Sequence, residues 1–248
     1  MPALYGLIGF PLTHSFSPAY FKKKFAEQNI DAVYEAFPLT GINEFPALLN
    51  TLPALRGLNV TLPYKEAVIP LLDDLDSSAR EIGAVNCIAI RNGNTKGYNT
   101  DATGFEHSLN PLLEPQHTQA LILGTGGSSK AVAYALLMLG IPYTLVSRSY
   151  KPGCIAYDDL TIEIIADHKL IINTTPLGLY PAIDAAPPIP YEGIGTQHLL
   201  YDLIYNPEET KFLTIGKALG ASIKNGFEML QLQAEAAWDI WTGAAAPE

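Results

Sequence analysis

The stretch "LILGTGGSSKAVAYAL" at 121–136 narrows the folds open to this 248-residue chain more than any other. An apolar run meets Gly124, Gly126 and Gly127 in quick succession, and a helix-forming run follows. Strand, glycine-rich turn and helix in that order make a phosphate-binding βα unit. Gly124 permits the tight turn, Gly126 lets a pyrophosphate approach the backbone, and the helix start presents free N–H groups to the anion. The GxGxxG fingerprint is incomplete, because Ser129 stands at the third glycine position. A glycine cluster can also be a plain tight turn; the strand and helix on either side are what favour a nucleotide.

The next strand, in "TLVSRSYK", indicates which nucleotide. An NAD site places Asp or Glu at the end of this strand to bond the ribose 2′-hydroxyl. Here Ser147, Arg148, Ser149 and Lys151 stand there instead. Arg148 can pair bidentately with a 2′-phosphate and stack on adenine, whereas an acid would repel the phosphate. The expected cofactor is NADP, with a surface arginine after a strand as the plainer alternative.

The rest of the chain alternates in the same way. "ALYGLIG", "AVYEAF" and "RGLNVT" are strand-like, "PAYFKKKFAEQN", "INEFPALLNTL" and "SSAREIG" helix-like, and a further helix is expected around Lys65. In "VNCIAIRNGNTKGYNTD", Asn92-Gly93 signals a turn between two short strands. After the glycine turn come strands in "YTLVSR", "LIINTT" and "LLYDLIY", and "GFEMLQLQAEAAWDIWTG" reads as a long amphipathic helix. The segment from Ser149 to Ile171 is short enough to leave this series without a helix there, and "YPAIDAAPPIPYEG" reads as a surface loop. Two βα series predict an α/β protein of two domains with a cleft between them, the usual place for a small ligand. The boundary is expected near Asp101, with an N-terminal α/β domain before it and a Rossmann-like NADP-binding domain after it.

Composition excludes several partners. A 48% hydrophobic content supplies a sizeable core, and a net charge of -10 offers no basic field to nucleic acid or to an anionic membrane. Cys87 and Cys154 lack CxxC spacing and read as reduced thiols of a cytoplasmic protein. The five histidines are scattered with no HxxxH pair, so no metal site is expected. The apolar N-terminus has no basic residue before Lys22 and meets Pro11 early, which suits a buried strand better than a signal peptide. The apolar run 131–146 is broken by "GIP", so no segment is expected to span a membrane. The expected partner is a small molecule bound by a monomer or homodimer.

Four further features are polar where a plain core would be apolar. Lys65 sits in "GLNVTLPYKEAVIPLL" either as a snorkelling helix residue or as a functional amine. Ser15 and Ser17 in "HSFSP" alternate just before Pro18, where one serine could be a helix cap or both hydroxyls could hold a carboxylate. Asn86 in "AVNC", and Asn99 with Asp101 in "YNTD", are ambiguous taken singly.

Taken together and in order, "GFPLTHSFSP", "GLNVTLPYKEAV", "GAVNCI", "GYNTDATGF", "LGTGGSSKAV", "NTTPLG", "YDLIYNP" and "GFEMLQLQAEAAWDIWTG" resemble the shikimate dehydrogenase family along nearly the whole chain. The resemblance implies a two-domain NADP enzyme that reversibly reduces 3-dehydroshikimate to shikimate in aromatic amino-acid biosynthesis. It implies Ser15 and Ser17 on the substrate carboxylate with Tyr205 close by, and Thr61, Asn86, Asp101 and Gln233 around the ring hydroxyls. Lys65 and Asp101 become the catalytic pair. Gly124, Gly126, Gly127, Ser147, Arg148, Ser149 and Thr174 become the cofactor residues. The family's C-terminal helix packs back on the first domain, which gives a substrate domain of 1–100 plus 226–248 and a cofactor domain of 101–225. One departure is the basic motif, usually "NRT" with a second Arg or Lys, which is "SRSYK" here with Lys151 shifted. The rivals are a quinate/shikimate dehydrogenase using NAD and a non-catalytic sensor of the same ligand.

Overall fold

The computed structural model describes residues 2–12 and 15–244, so His14 lies outside the described residues. The chain divides into two compact units, one of residues 1–100 and 233–248 and one of 101–232. Both crossings between units fall inside helices.

The first unit opens with β1 (Ala3–Gly9), α1 (Phe16–Glu27), β2 (Ala32–Pro38), α2 (Phe45–Thr51) and β3 (Leu55–Val60), then β4 (Asp74–Leu75), α3 (Ser77–Ile82), β5 (Cys87–Arg91) and β6 (Asn94–Tyr98). Its sheet has the order β2-β1-β3-β5-β6-β4, parallel across the first three strands and antiparallel from β3 through β6. The Asn92-Gly93 turn forms as expected, with φ values of 53 and 82 that suit a two-residue hairpin.

The segment around Lys65 is not the α-helix expected there. One helical turn, closed by Val68 N to Tyr64 O at 3.0 Å, runs into a 3-10 turn at Ile69–Leu71. Pro70 explains this, since it lacks an N–H and disfavours helical backbone at the residue before it.

The second unit contains α4 (Thr100–Leu109, its first residue still in unit 1), β7 (Ala120–Leu123), α5 (Gly127–Met138), β8 (Tyr143–Ser147) and β9 (Cys154–Ala156). It continues with α6 (Ile162–Asp167), β10 (Leu170–Asn173), β11 (Leu199–Asp202), α7 (Lys211–Ala218), β12 (Ser222–Lys224) and the first part of α8 (Phe227–Thr242). All six strands are parallel, in the order β12-β11-β10-β7-β8-β9. Every residue of β7, β10 and β11 is buried, as a parallel sheet covered on both faces requires. The expectation of no helix between Ser149 and Ile171 is corrected by α6. Six residues suffice there because Thr161 Oγ1 caps Ile164 N at 3.3 Å and Ile165 fills the core below.

The end of α8 belongs to unit 1. Trp241 lies on Gly57, where a Cβ would come within 2.3 Å of the indole Nε1, and that Nε1 donates to Ile88 O at 3.0 Å. Tyr5, Phe21 and Phe25 complete this face of the sheet. Among the described residues, no helix is long and apolar enough to cross a membrane.

Two buried histidines give unit 2 a pH dependence. His198 Nδ1 takes a hydrogen bond from Gly195 N at 3.0 Å and its Nε2 lies 3.0 Å from Ile165 O, while His117 Nδ1 takes one from Glu114 N at 2.9 Å. Burial depresses both imidazole pKa values, so the folded chain holds fewer protons than the unfolded one, and stability present above the unfolded value is lost as pH falls. Lowering the pH from about 7.5 to about 6.5 should reduce stability, by at most about 0.4 kcal/mol per histidine. Thermal unfolding at the two pH values checks this, and the drop should shrink in His117→Gln.

Candidate active site

In unit 2 three strands finish level, because the register pairs Leu123 with Asn173 and Asn173 with Asp202. The turn after β7 starts at Gly124 with φ +116, which glycine alone adopts freely. A Cβ at Gly124 would come within 2.5 Å of Thr174 Oγ1, whereas one at Gly126 would meet nothing within 4 Å. Open space therefore lies at the N-terminus of the 12-residue α5, and it fits a diphosphate. Ser129, at the third glycine position, is buried and turns its hydroxyl onto Gly126 O at 2.6 Å, which leaves the open side clear.

The loop after β8 carries the basic residues. Ser147 is buried, its hydroxyl donates to Ser149 O, and Ser149 N donates back to Ser147 Oγ at 3.3 Å. Arg148 and Ser149 are exposed, and Lys151 Nζ reaches Thr125 Oγ1 at 3.1 Å, so the shifted lysine returns to the glycine turn. Burial pushes the Tyr157 phenol up to about 12 while Arg148 pulls it down. Its Oη is a buried side-chain atom without a hydrogen-bond partner.

Thr174 Oγ1 donates to Leu123 O at 2.8 Å, tying the loop after β10 to the end of β7. Asn173 Oδ1 takes Thr175 N at 3.0 Å and Thr175 Oγ1 at 2.6 Å, and Asn173 Nδ2 donates to Asp202 Oδ1 at 3.1 Å. Tyr205 follows β11, half-buried, with its ring 6.5 Å from that of Phe227.

Unit 1 holds a second polar assembly, and it is neutral. Tyr34 Oη donates to Asn59 Oδ1 at 2.7 Å, and Asn59 Nδ2 donates to Asn86 O at 3.4 Å. Asn86 Oδ1 accepts from Thr100 N at 2.7 Å, and Asn86 Nδ2 donates to Thr100 Oγ1 at 3.0 Å and to Gln233 Oε1 at 3.4 Å. Asn59, Asn86, Thr100 and Gln233 are all buried. Ser17 is buried too, with its hydroxyl against Tyr34. Ser15 takes the N-cap position of α1 but makes no capping hydrogen bond, so its hydroxyl is not spent on the helix. Thr61, half-buried, follows β3 and is fixed by its N–H to Ile8 O at 2.9 Å. Lys65 is half-buried, and its carbonyl accepts Val85 N at 2.7 Å, which ties its turn to the residue before Asn86. Asp101 is buried in the first turn of α4, and the unit boundary falls just before it, so Lys65 and Asp101 belong to different units.

Residues 7–88 match the family described as shikimate dehydrogenase substrate binding domain. A protein named shikimate dehydrogenase (NADP(+)) from Carboxydothermus hydrogenoformans is 39% identical, with 98% of this chain and 93% of that protein covered. The chain belongs to the shikimate dehydrogenase family. The crystal structure of shikimate dehydrogenase from Aquifex aeolicus superposes with a TM-score of 0.88 at 36% identity, covering 99% of this chain and 94% of that one. The enzyme from Thermus thermophilus, solved in complex with NADP(H) and shikimate, gives 0.87 at 33% identity, covering 99% and 95%.

Three members of the polar assembly were not among the residues expected from sequence: Tyr34, Asn59 and Thr100. Asn59 left a signal, a carboxamide between Leu58 and Val60 in a buried strand. Tyr34 left none, because a tyrosine in a strand is ordinary until its hydroxyl finds a partner. Among the described residues, no group of three His, Cys, Asp or Glu could hold a metal ion.

Gly124→Ala tests the cradle. A positive φ costs a non-glycine residue about 1–3 kcal/mol, and the added methyl also meets Thr174. The variant should unfold earlier in denaturant and bind NADPH weakly, while Gly126→Ala, with empty space around its Cβ, should keep wild-type stability.

Proposed function

We infer that this chain catalyses the reversible, NADPH-dependent reduction of 3-dehydroshikimate to shikimate. The observation that carries this is the 39% identity over 98% of the chain to a protein named for that activity. Unit 1 is read as the substrate-binding domain and unit 2 as the cofactor domain. The diphosphate is assigned to Gly124, Gly126 and Gly127, the adenosine 2′-phosphate to Ser147, Arg148 and Ser149, and a further cofactor contact to Thr174. The substrate carboxylate is assigned to the hydroxyls of Ser15 and Ser17 with Tyr205. The ring hydroxyls are assigned to Thr61, Asn86, Asp101 and Gln233. A set of amides and hydroxyls can both donate and accept, as hydroxyl groups on a ring demand.

The bound cofactor supplies a hydride to the ketone carbon. Lys65, as an ammonium, polarises the carbonyl and gives its proton to the oxygen as negative charge develops there. Asp101 orients that ammonium, and the first turn of α4 suits its carboxylate. With two small serines at the carboxylate and no acid beside Arg148, shikimate and NADP are favoured over quinate and NAD. A sensor would have no use for Lys65 and Asp101. With two thiols that are free, the chain is assigned to a reducing cytoplasm.

Turnover of shikimate with NADP+ by purified protein tests the assignment. In Lys65→Ala, kcat should fall roughly 10²- to 10⁴-fold with a smaller change in KM. Asp101→Asn should behave alike, and the double variant should be far less than multiplicatively worse. A folded Lys65→Ala protein with near wild-type kcat would remove the proton donor from the scheme.

Arg148→Ala separates the cofactors. Loss of a charge-assisted contact of about 1.5–3 kcal/mol should weaken use of NADPH by ten- to a hundredfold and leave NADH nearly unchanged. Equal losses with both would show that Arg148 does not meet the 2′-phosphate.

A further inference from the structure

Asp202 ends β11 fully buried, and its partners are all neutral. Oδ1 accepts from Asn173 Nδ2 at 3.1 Å and from Ile204 N at 3.0 Å, and Oδ2 accepts from Thr210 Oγ1 at 2.6 Å. Among the described residues it joins no ion pair. Burial raises its carboxyl to about 6 against the pull of those three hydrogen bonds, so it is ionised at neutral pH at an energetic cost. All three hydrogen bonds are donated to the carboxylate and favour its charged form, but none brings a compensating positive charge. An asparagine would keep the acceptor for Asn173 and Ile204 through its oxygen, while its amide would replace the acceptor that Thr210 Oγ1 now donates to.

The position of the charge in the sheet suggests its use. The strand order turns at β7 and β10, and a dinucleotide lies across such a switch point at the carboxyl ends of the strands. With the diphosphate assigned to the turn after β7 and the adenosine phosphate to the loop after β8, the other half would fall over β10 and β11. That half carries the nicotinamide, a cation when oxidised and neutral when reduced. Asp202 lies at the end of β11.

We propose that Asp202 sets the balance between the two cofactor forms, its buried negative charge favouring the oxidised, positively charged nicotinamide over the reduced one. This rests on the assignment of NADP above. Asp202 acts through space and not by touching the reacting atoms. In the reductive direction the same carboxylate would favour the positive charge that a nicotinamide gains as its hydride leaves.

The test measures affinity and not turnover. NADP+ and NADPH are titrated separately into wild-type and Asp202→Asn protein at about pH 7.5 without substrate. For unit charges several ångströms apart at an effective dielectric near 20, the Kd for NADP+ should rise roughly ten- to thirtyfold while that for NADPH stays within about twofold. Equal weakening of both would make Asp202 a structural residue only, and no change in either would also overturn the proposal. Failure of the wild-type protein to bind either form would overturn the NADP assignment itself.

If the variant does not fold, the wild-type protein still decides. Between about pH 7.5 and 5, as the carboxyl takes up its proton, the preference for NADP+ relative to wild type at high pH should fall by a similar factor. The 2′-phosphate is common to both forms and cancels in the ratio. Of the elements packed around Asp202, β10, its own loop and α7 contribute the neutral Asn173, Ile204 and Thr210. Tyr191 also feels its charge, but burial and then Asp202 hold that phenol above its usual range, so it stays neutral throughout. A ratio that does not move would overturn the proposal.

Discussion

The Trp241 indole lies where Gly57 has no side chain, and one of the two cores of unit 1 is built on that contact. Its ring stacks on Tyr5 at 5.0 Å between centroids and meets Phe21 at 5.3 Å, which closes one face of the first sheet with residues from both ends of the chain. The same packing fixes the part of α8 that carries Gln233, and so puts a carboxamide from position 233 beside Asn86 and Thr100. Glu235 strengthens the attachment by accepting from Tyr20 and from Lys24 on α1, the helix that carries Ser17. Because Lys24 is buried and paired with that carboxylate, removing Glu235 would leave an uncompensated ammonium against the aromatic face. The hydroxyls at the start of α1 and the amide on α8 are therefore held by one packed layer.

Unit 2 resolves a conflict between the chain and its ligand. A net charge of -10 opposes binding of a polyanionic cofactor, yet salt screens that repulsion beyond roughly 8–10 Å and leaves local groups in control. The local groups are the open start of α5, Arg148, and Lys151 held at Thr125. Positive potential is thus concentrated around one turn and one loop. The acidic surface elsewhere does not weaken it, and it still disfavours larger polyanions that would need an extended basic face.

Sequence reveals those parts of the protein that are local. The glycine turn, the Asn92-Gly93 hairpin and the buried strands of unit 2 each declare themselves within a few residues, since glycine conformation and apolar runs are short-range properties. The polar assembly of unit 1 is not local: Tyr34 meets Asn59, and Asn86 meets Gln233, only after the sheet and α8 are in place. Asp202 looks like any polar residue at a strand end until its full burial is known. The two misread segments fail for opposite reasons. Around Lys65 a helical pattern was overridden by Pro70, and at α6 a single threonine cap was enough to start a helix shorter than the pattern can register.

The division of charge between the units follows from what catalysis requires. A cation on the substrate carboxylate would bind ground state and transition state equally, which lowers KM without raising kcat. Hydroxyls such as those of Ser15 and Ser17 can hold that carboxylate without adding a charge, and the rest of the assembly, Tyr34, Asn59, Asn86, Thr100 and Gln233, is neutral as well. Against such a background the ammonium proposed at Lys65 would have its largest effect on whichever oxygen gains charge during the reaction, because the buried dipoles are already satisfied by one another. On the proposed mechanism the neutrality of these side chains has a use: every charge left out of the assembly would make the one at Lys65 more selective for the transition state.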